Sequence, residues 1–201
     1  MATPIYQLKV SLRNAKPPIW RRLEVSSDTS FYLLHCIIQG AMGWDNSHLH
    51  QFVKDRELYG ITSDEDFFDV HDEREIKLSD LLHREKEWIQ YEYDFGDGWE
   101  HRVELEKILP PEAGVKYPRI VKGKNACPPE DCGGIWGYMA LVEILKNPKH
   151  EDHKNMLEWM GLDSGSDFDP TAFDLNERQE DLEEMLAWGK KMKGREFDDV
   201  F

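Results

Sequence analysis

The sequence predicts an α+β fold: an antiparallel-dominated mixed sheet with packed helices and a helical C-terminal extension. Three observations carry this. Strictly alternating apolar segments recur in the first 105 residues, helical spacing of apolar residues dominates after residue 133, and one long apolar run with period-3.6 spacing interrupts the strands at 31–42. Residues 1–146 read as an α+β core and 147–201 as a helical extension packed on it, the two forming a single domain.

"YQLKVSLR" sets Tyr6, Leu8, Val10 and Leu12 on one face and Gln7, Lys9, Ser11 and Arg13 on the other, the pattern of a half-buried strand. "NAKPP" breaks it. "IWRRLEV" is the next strand, with Ile19, Leu23 and Val25 inward; Arg21 falls on that same face and needs a partner there. "SSDTS" supplies N-cap residues for a largely buried helix from Phe31 to Met42, and Gly43 ends it. "HLHQFV" places His48, His50 and Phe52 on one side of a strand, and "KDRE" turns it into "LYGI". Residues 62–76 are acidic and loop-like, and "KLSDLLH" forms one short helix.

The stretch "WIQYEYDFGDGWEHRVELE" is a β-hairpin around glycines. A three-residue loop, Gly96-Asp97-Gly98, would pair Phe95 with Trp99, Tyr93 with His101, Tyr91 with Val103 and Ile89 with Leu105, so that apolar residues meet across the strands. That register sets Glu92 against Arg102 and Asp94 against Glu100, and directs His101 to the apolar side. Two opposed carboxylates are either exposed and screened by water or bridged by a cation, an arginine, a lysine or a metal ion.

"NACPPEDCGGIWGYMALVEIL" leads into a helix near Ile135, with Ile135, Met139, Val142 and Leu145 on one face. Its two cysteines, Cys127 and Cys132, have no second cysteine pair, so a zinc site there would have to borrow histidines. "GGIWG" is no phosphate loop, because Glu130 and Asp131 precede it and repel phosphate. Asn147-Pro148 opens a further helix through Met156, Leu157 and Met160. Asp174 and Glu177 begin the last helix, with Leu175, Leu182, Met185 and Leu186 inward. The tail "REFDDVF" frays unless its phenylalanines dock.

Composition bounds the function classes. Apolar residues at 40% and charged residues at 32% describe an ordinary globular chain. Forty acidic against 25 basic residues give a net charge of −15, which argues against direct nucleic-acid binding and against an anionic membrane surface. The basic cluster "KKMKGR" at 190–195 suits a helix C-terminus. With three cysteines, no disulfide framework, no apolar run long enough for a bilayer and no secretory signal pattern, a cytoplasmic location is expected.

Six segments, "PPIWRRLEV", "LHCIIQGAMGW", "HLHQF", "YEYDFGDGWEHRVELE", "CPPEDCGGIWGY" and "FDPTAFD", occur in this order. Together they resemble the plasmid pRiA4b ORF-3-like family, which also appears as a passenger protein of mobile elements. The resemblance covers nearly the whole chain and implies an α+β fold with a mixed sheet, but no established reaction. A "resolvase-like" label carried by some relatives has no counterpart here, neither an activated serine among arginines nor a basic DNA-binding domain. The matching motif and cleft positions are Arg21, Trp44, Tyr93, Trp99, Glu130, Asp131 and Tyr138.

Two functions are expected. One is a non-enzymatic binding or accessory protein for a protein or peptide partner, with tryptophans such as Trp20, Trp44, Trp88 and Trp136 as anchors. The other is a metal-binding or metal-dependent hydrolytic protein that gathers His48, His50, Asp94, Asp97, His101, Cys127 and Cys132 around a divalent ion such as zinc. A Cys127–His101 nucleophile pair is a third possibility, and no organic cofactor site is expected.

Overall fold

The order of elements explains how the termini of the long motifs come together. The structure, a computed structural model, describes residues 2–62 and 70–192. The centre of the acidic loop at 63–69, the end of the basic cluster and the tail from 193 onward lie outside the described residues. Strands β1 (Ile5–Leu12) and β2 (Trp20–Ser26) lead into helix α1 (Phe31–Met42). Then come β3 (His50–Lys54), β4 (Glu57–Gly60), β5 (Val70–Asp72), the short helix α2 (Leu78–Leu81), β6 (Trp88–Tyr93), β7 (Trp99–Leu109) and β8 (Arg119–Lys124). Helices α3 (Gly134–Lys146), α4 (His153–Met160) and α5 (Leu175–Met192) follow.

Among the described residues the strands form one eight-stranded sheet in the order β5-β4-β3-β6-β7-β1-β2-β8. Every neighbouring pair is antiparallel except β4–β5. The fold class is the one the pattern predicts, with more strands than alternation alone reveals. β5 is three residues long, and β8 is an edge strand in which Ile120 is the buried residue, so neither carries a readable alternation.

The inward residues of β1 and β2 are those expected: Tyr6, Leu8, Val10, Leu12, Ile19, Leu23 and Val25 are all buried, and so is Arg21. Helix α1 starts at Ser30, whose hydroxyl accepts from the Leu33 N–H, and stops at Gly43 in the left-handed region at φ 96°. It is apolar on nearly all sides because it lies between the sheet and α5. Helix α5 runs antiparallel to it: Arg178 crosses Gly43, Leu182 crosses Gly40, and Gly189 crosses Cys36.

That crossing corrects one helix face. Leu175 is exposed, because the first turn of α5 runs past the C-terminal end of α1, and burial falls on Leu182, Leu186 and Gly189. In α3 the buried residues are Gly134, Tyr138, Leu141 and Leu145; Ile135, Met139 and Val142 are half-buried at its flank. Asn147 caps the end of α3 rather than opening the next helix, and α4 begins after Asp152.

The hairpin register also differs from expectation. Tyr93 faces Trp99, Tyr91 faces His101 and Ile89 faces Val103, a shift of two residues that leaves a five-residue turn, 94–98. Asp94 leaves the ladder at φ 56°, and its Oδ1 accepts the N–H groups of Gly96 (2.9 Å) and Asp97 (3.3 Å). The Gly98 N–H closes the turn on the Asp94 carbonyl at 2.6 Å. Because the shift is even, the inward face is preserved and His101 is buried as expected. Phe95 is not: it sits in the turn, exposed. Glu92 therefore meets Glu100, not Arg102. Each finds its own relief, Glu92 from Gln51 Nε2 at 2.8 Å and Glu100 from Arg13 at 2.7 Å.

Candidate functional site

Three loops converge beyond the β6–β7 turn: 44–48 after α1, the turn 94–98, and 127–134 before α3. Their contacts are polar and specific. Trp44 Nε1 donates to the Pro128 carbonyl at 3.0 Å, and the Asp45 N–H donates to Glu130 Oε1 at 3.1 Å. The Tyr93 hydroxyl donates to the same Glu130 oxygen at 2.7 Å and accepts the Ser47 N–H at 2.9 Å. The Gly133 N–H donates to Asp97 Oδ2 at 3.1 Å, and Gly134 lies so close that a Cβ there would collide with the Asp97 carbonyl.

At their meeting point stand His48, Asp94 and Asp131, each offering one ligand atom within 4.8 Å of the others. His48 Nε2 is 3.8 Å from Asp94 Oδ2 and 3.2 Å from Asp131 Oδ1. That nitrogen is buried, and neither contact has hydrogen-bond geometry. Donor atoms bound to one ion at ~2.1 Å stand roughly 3–4 Å apart, the spacing seen here. Among the described residues neither carboxylate pairs with a lysine or arginine.

Behind this cluster lies a buried polar network. The rings of His35 and His50 are stacked 3.4 Å apart and nearly parallel, at 3°. His50 Nε2 lies 2.9 and 3.0 Å from the two oxygens of Glu73, a carboxyl group wholly removed from water. Burial raises the Glu73 pKa to about 7 and lowers that of His50 to about 3, and burial together with the neighbouring His50 ring lowers that of His35. His35 Nδ1 contacts the Tyr91 hydroxyl at 2.9 Å, and that hydroxyl accepts from Gln39 Nε2 at 2.9 Å. His35 Nε2 contacts Asn46 Oδ1 at 2.6 Å.

A profile of the plasmid pRiA4b ORF-3-like protein family matches residues 4–177. The chain belongs to this family. It is similar to the uncharacterized protein y4hQ of Sinorhizobium fredii (strain NBRC 101917 / NGR234), 35% identical over 195 residues, which cover 96% of this chain and 98% of that protein. It is also similar to the crystal structure of MM3350, a protein of unknown function from Methanosarcina mazei Go1. That match has a TM-score of 0.77 and 38% identity, covering 88% of this chain and 98% of the other. Neither description names an activity.

The ORF-3-like motifs thus meet in space, though not all their metal-type residues do. His48 and Asp94 join Asp131. Asp97 instead holds the Gly133 N–H, and His50 faces Glu73 in the core. His101 is buried, with Nδ1 2.9 Å from the Trp99 carbonyl and its pKa lowered to about 4 by burial, so its ring is neutral. Burial raises both Cys127 and Cys132, the latter to about 12, which keeps them as thiols rather than thiolates. No hydrogen bond joins Cys127 to His101 among the described residues. Trp44 and Trp99 are buried beside Tyr93 and each other, and Tyr138 packs against Phe168. Sequence reasoning missed His35, Gln39, Asn46 and Glu73. His35 was findable, as an imidazole inside an apolar helix run; Glu73 was hidden in an acidic stretch.

No helix among the described residues is long and apolar enough to cross a membrane.

Proposed function

We propose that this ORF-3-like protein binds a divalent cation through His48 Nε2 and the carboxylates of Asp94 and Asp131, with the remaining coordination positions open to water. One observation carries the reading: a buried imidazole nitrogen without a hydrogen-bond partner faces two carboxylates that lack a cationic partner, at ligand spacing. One nitrogen and two oxygens suit a borderline ion such as zinc. Three protein ligands with open positions are the arrangement in which a bound water becomes a nucleophile, so metal-dependent hydrolysis is the chemistry such a centre supports. The net charge of −15 adds a field that draws cations to the surface.

A second reading is a non-enzymatic binding or accessory role toward a protein or peptide partner. Its support is the exposure of Trp136 at 76% on α3 and of Trp159 at 47% on α4. Trp159 also edges an apolar groove of about 340 Å³ formed with Ala140, Leu141, Ile144 and Met156.

Elemental analysis of protein purified without chelator, with zinc titration by calorimetry, tests the first reading and separates the two. Stoichiometric zinc is expected in the wild type, and His48→Ala and Asp131→Asn should each weaken affinity at least about tenfold. Those results would also demote the plain binding module. A wild type without stoichiometric ion, or variants that bind as tightly as it does, would sink the metal reading.

A further inference from the structure

Arg21 presents a separate problem. It is 1% exposed, yet no carboxylate pairs with it among the described residues. Its Nε donates to the Ala41 carbonyl at 2.8 Å. Its Nη1 is shared by the carbonyls of Trp20 (3.0 Å), Lys124 (3.1 Å) and Asn125 (3.0 Å). The guanidinium carbon lies over the Phe173 ring, 4.6 Å from its centroid. Carbonyl dipoles and a ring face stabilise the cation without neutralising it. Burial lowers its pKa to about 10, so the charge persists at neutral pH.

One donor group is left over. Nη2 has no acceptor among the described residues, and Arg21 lines a cavity of about 310 Å³. The cavity lies between the end of α1, the 126–129 loop and the first turn of α5. Arg178 supplies a second guanidinium, packed over Gly43 where a side chain would collide with it. Two carboxylates share the wall, and both are engaged. Asp174 Oδ1 caps α5 by accepting from Asn176 (2.8 Å) and Glu177 (3.1 Å), and Glu177 pairs with Arg178.

We propose that this cavity binds a small organic carboxylate of amino-acid size that also carries an ammonium or hydroxyl donor. The carboxylate would take the free Nη2 of Arg21 and offset its charge, and the donor would face Asp174 and Glu177. A fork of N–H donors matches a carboxylate, and the two acids in the cavity lining disfavour an anion without a donor. The site is distinct from the His48 cluster and does not depend on the metal reading.

The test is thermal unfolding of the full chain with alanine, glycolate, acetate or inorganic phosphate, against chloride at equal ionic strength. Alanine or glycolate should raise Tm more than chloride does; a ligand at about a hundred times its Kd raises it by about 5–10 °C in a chain this size. Ala172→Trp fills the cavity wall without touching any bond of Arg21, and it should abolish the shift. Arg21→Lys keeps a charge without the fork and should weaken binding about tenfold; should it fail to fold, the Ala172 variant still decides. The proposal is overturned if neither alanine nor glycolate exceeds chloride, if acetate or phosphate raises Tm as much as they do, or if Ala172→Trp responds as the wild type does.

Discussion

Replacing Glu73 by glutamine should change how stability depends on pH. The Glu73 carboxyl is fully buried, 2.9–3.0 Å from a His50 ring that is itself stacked on His35. In the unfolded chain it ionises near 4.5, and in the folded chain burial holds its proton to about 7. Between those values the folded state binds more protons than the unfolded state. Stability conferred by the protonated acid is therefore complete below the unfolded value and declines as pH rises through the window. At roughly 1.4 kcal/mol per pH unit, the decline amounts to about 3 kcal/mol by pH 8. His50, lowered to about 3, works the opposite way, losing stability as pH falls below 6.5. Because Glu73 touches that ring, its replacement also alters the His50 contribution, which acts below pH 6.5 and with the opposite slope. Glutamine keeps the shape and one hydrogen bond to His50 but cannot ionise. Urea titrations of both proteins from pH 4.5 to 8 should show the wild type losing about 3 kcal/mol relative to Glu73→Gln as pH rises. A flat difference, or one in which the wild type gains, would refute the account of a carboxyl held protonated by burial.

Gly40→Ala should destabilise the fold although alanine is the better helix former. A Cβ there would stand 2.5 Å from Leu182 Cα and 2.7 Å from the Asp181 carbonyl, backbone atoms that move only with α5. The propensity gain of up to ~1 kcal/mol is outweighed by overpacking of about 1–3 kcal/mol, read as a lower urea midpoint; a raised midpoint would contradict the close helix crossing. Tyr93→Phe strips the hydroxyl that joins Ser47 to Glu130. It should cost about 1–3 kcal/mol and, since it unpins the loop bearing Asp131, weaken zinc about tenfold by calorimetry; unchanged affinity would separate that hydroxyl from the ion.

What could be read from the sequence divides along physical lines. Period-2 and period-3.6 patterns report burial, so β1, β2, α1 and the inward face of the hairpin are legible, including the burial of Arg21 and His101. The turn is not. Choosing between three and five residues depended on Asp94 adopting a left-handed backbone and folding its side chain onto the next amides, which pairing arithmetic does not see. The partners of Arg21 were equally hidden, being carbonyls, which every residue has. For the site, motif order predicted that His48, Asp94 and the 127–132 loop would matter. It could not tell His48 from His50: two residues apart, one lies before β3, half-buried and turned to the loops, and the other within it, facing the core.

The distinction between those two histidines also explains how His48 can be placed at all, since no strand holds it. Asn46, two residues before it, sits in the left-handed region at φ 58°. Its side-chain oxygen meets His35 Nε2 at 2.6 Å, and its N–H donates to Gln39 Oε1 at 3.1 Å. His35 and Gln39 are one helical turn apart on α1, and both also contact the Tyr91 hydroxyl from the sheet. The Ser47 N–H is taken by Tyr93 on the same strand. The loop that carries His48 is therefore tied at two successive residues to the most buried helix and to the middle of the sheet. A ligand on such a loop keeps its geometry before any ion arrives, so the entropy of ordering it is met during folding rather than at binding. This assigns the buried polar residues of α1 a reason to be there. Apolar substitutes would pack as well, but they would leave the loop to find its own place.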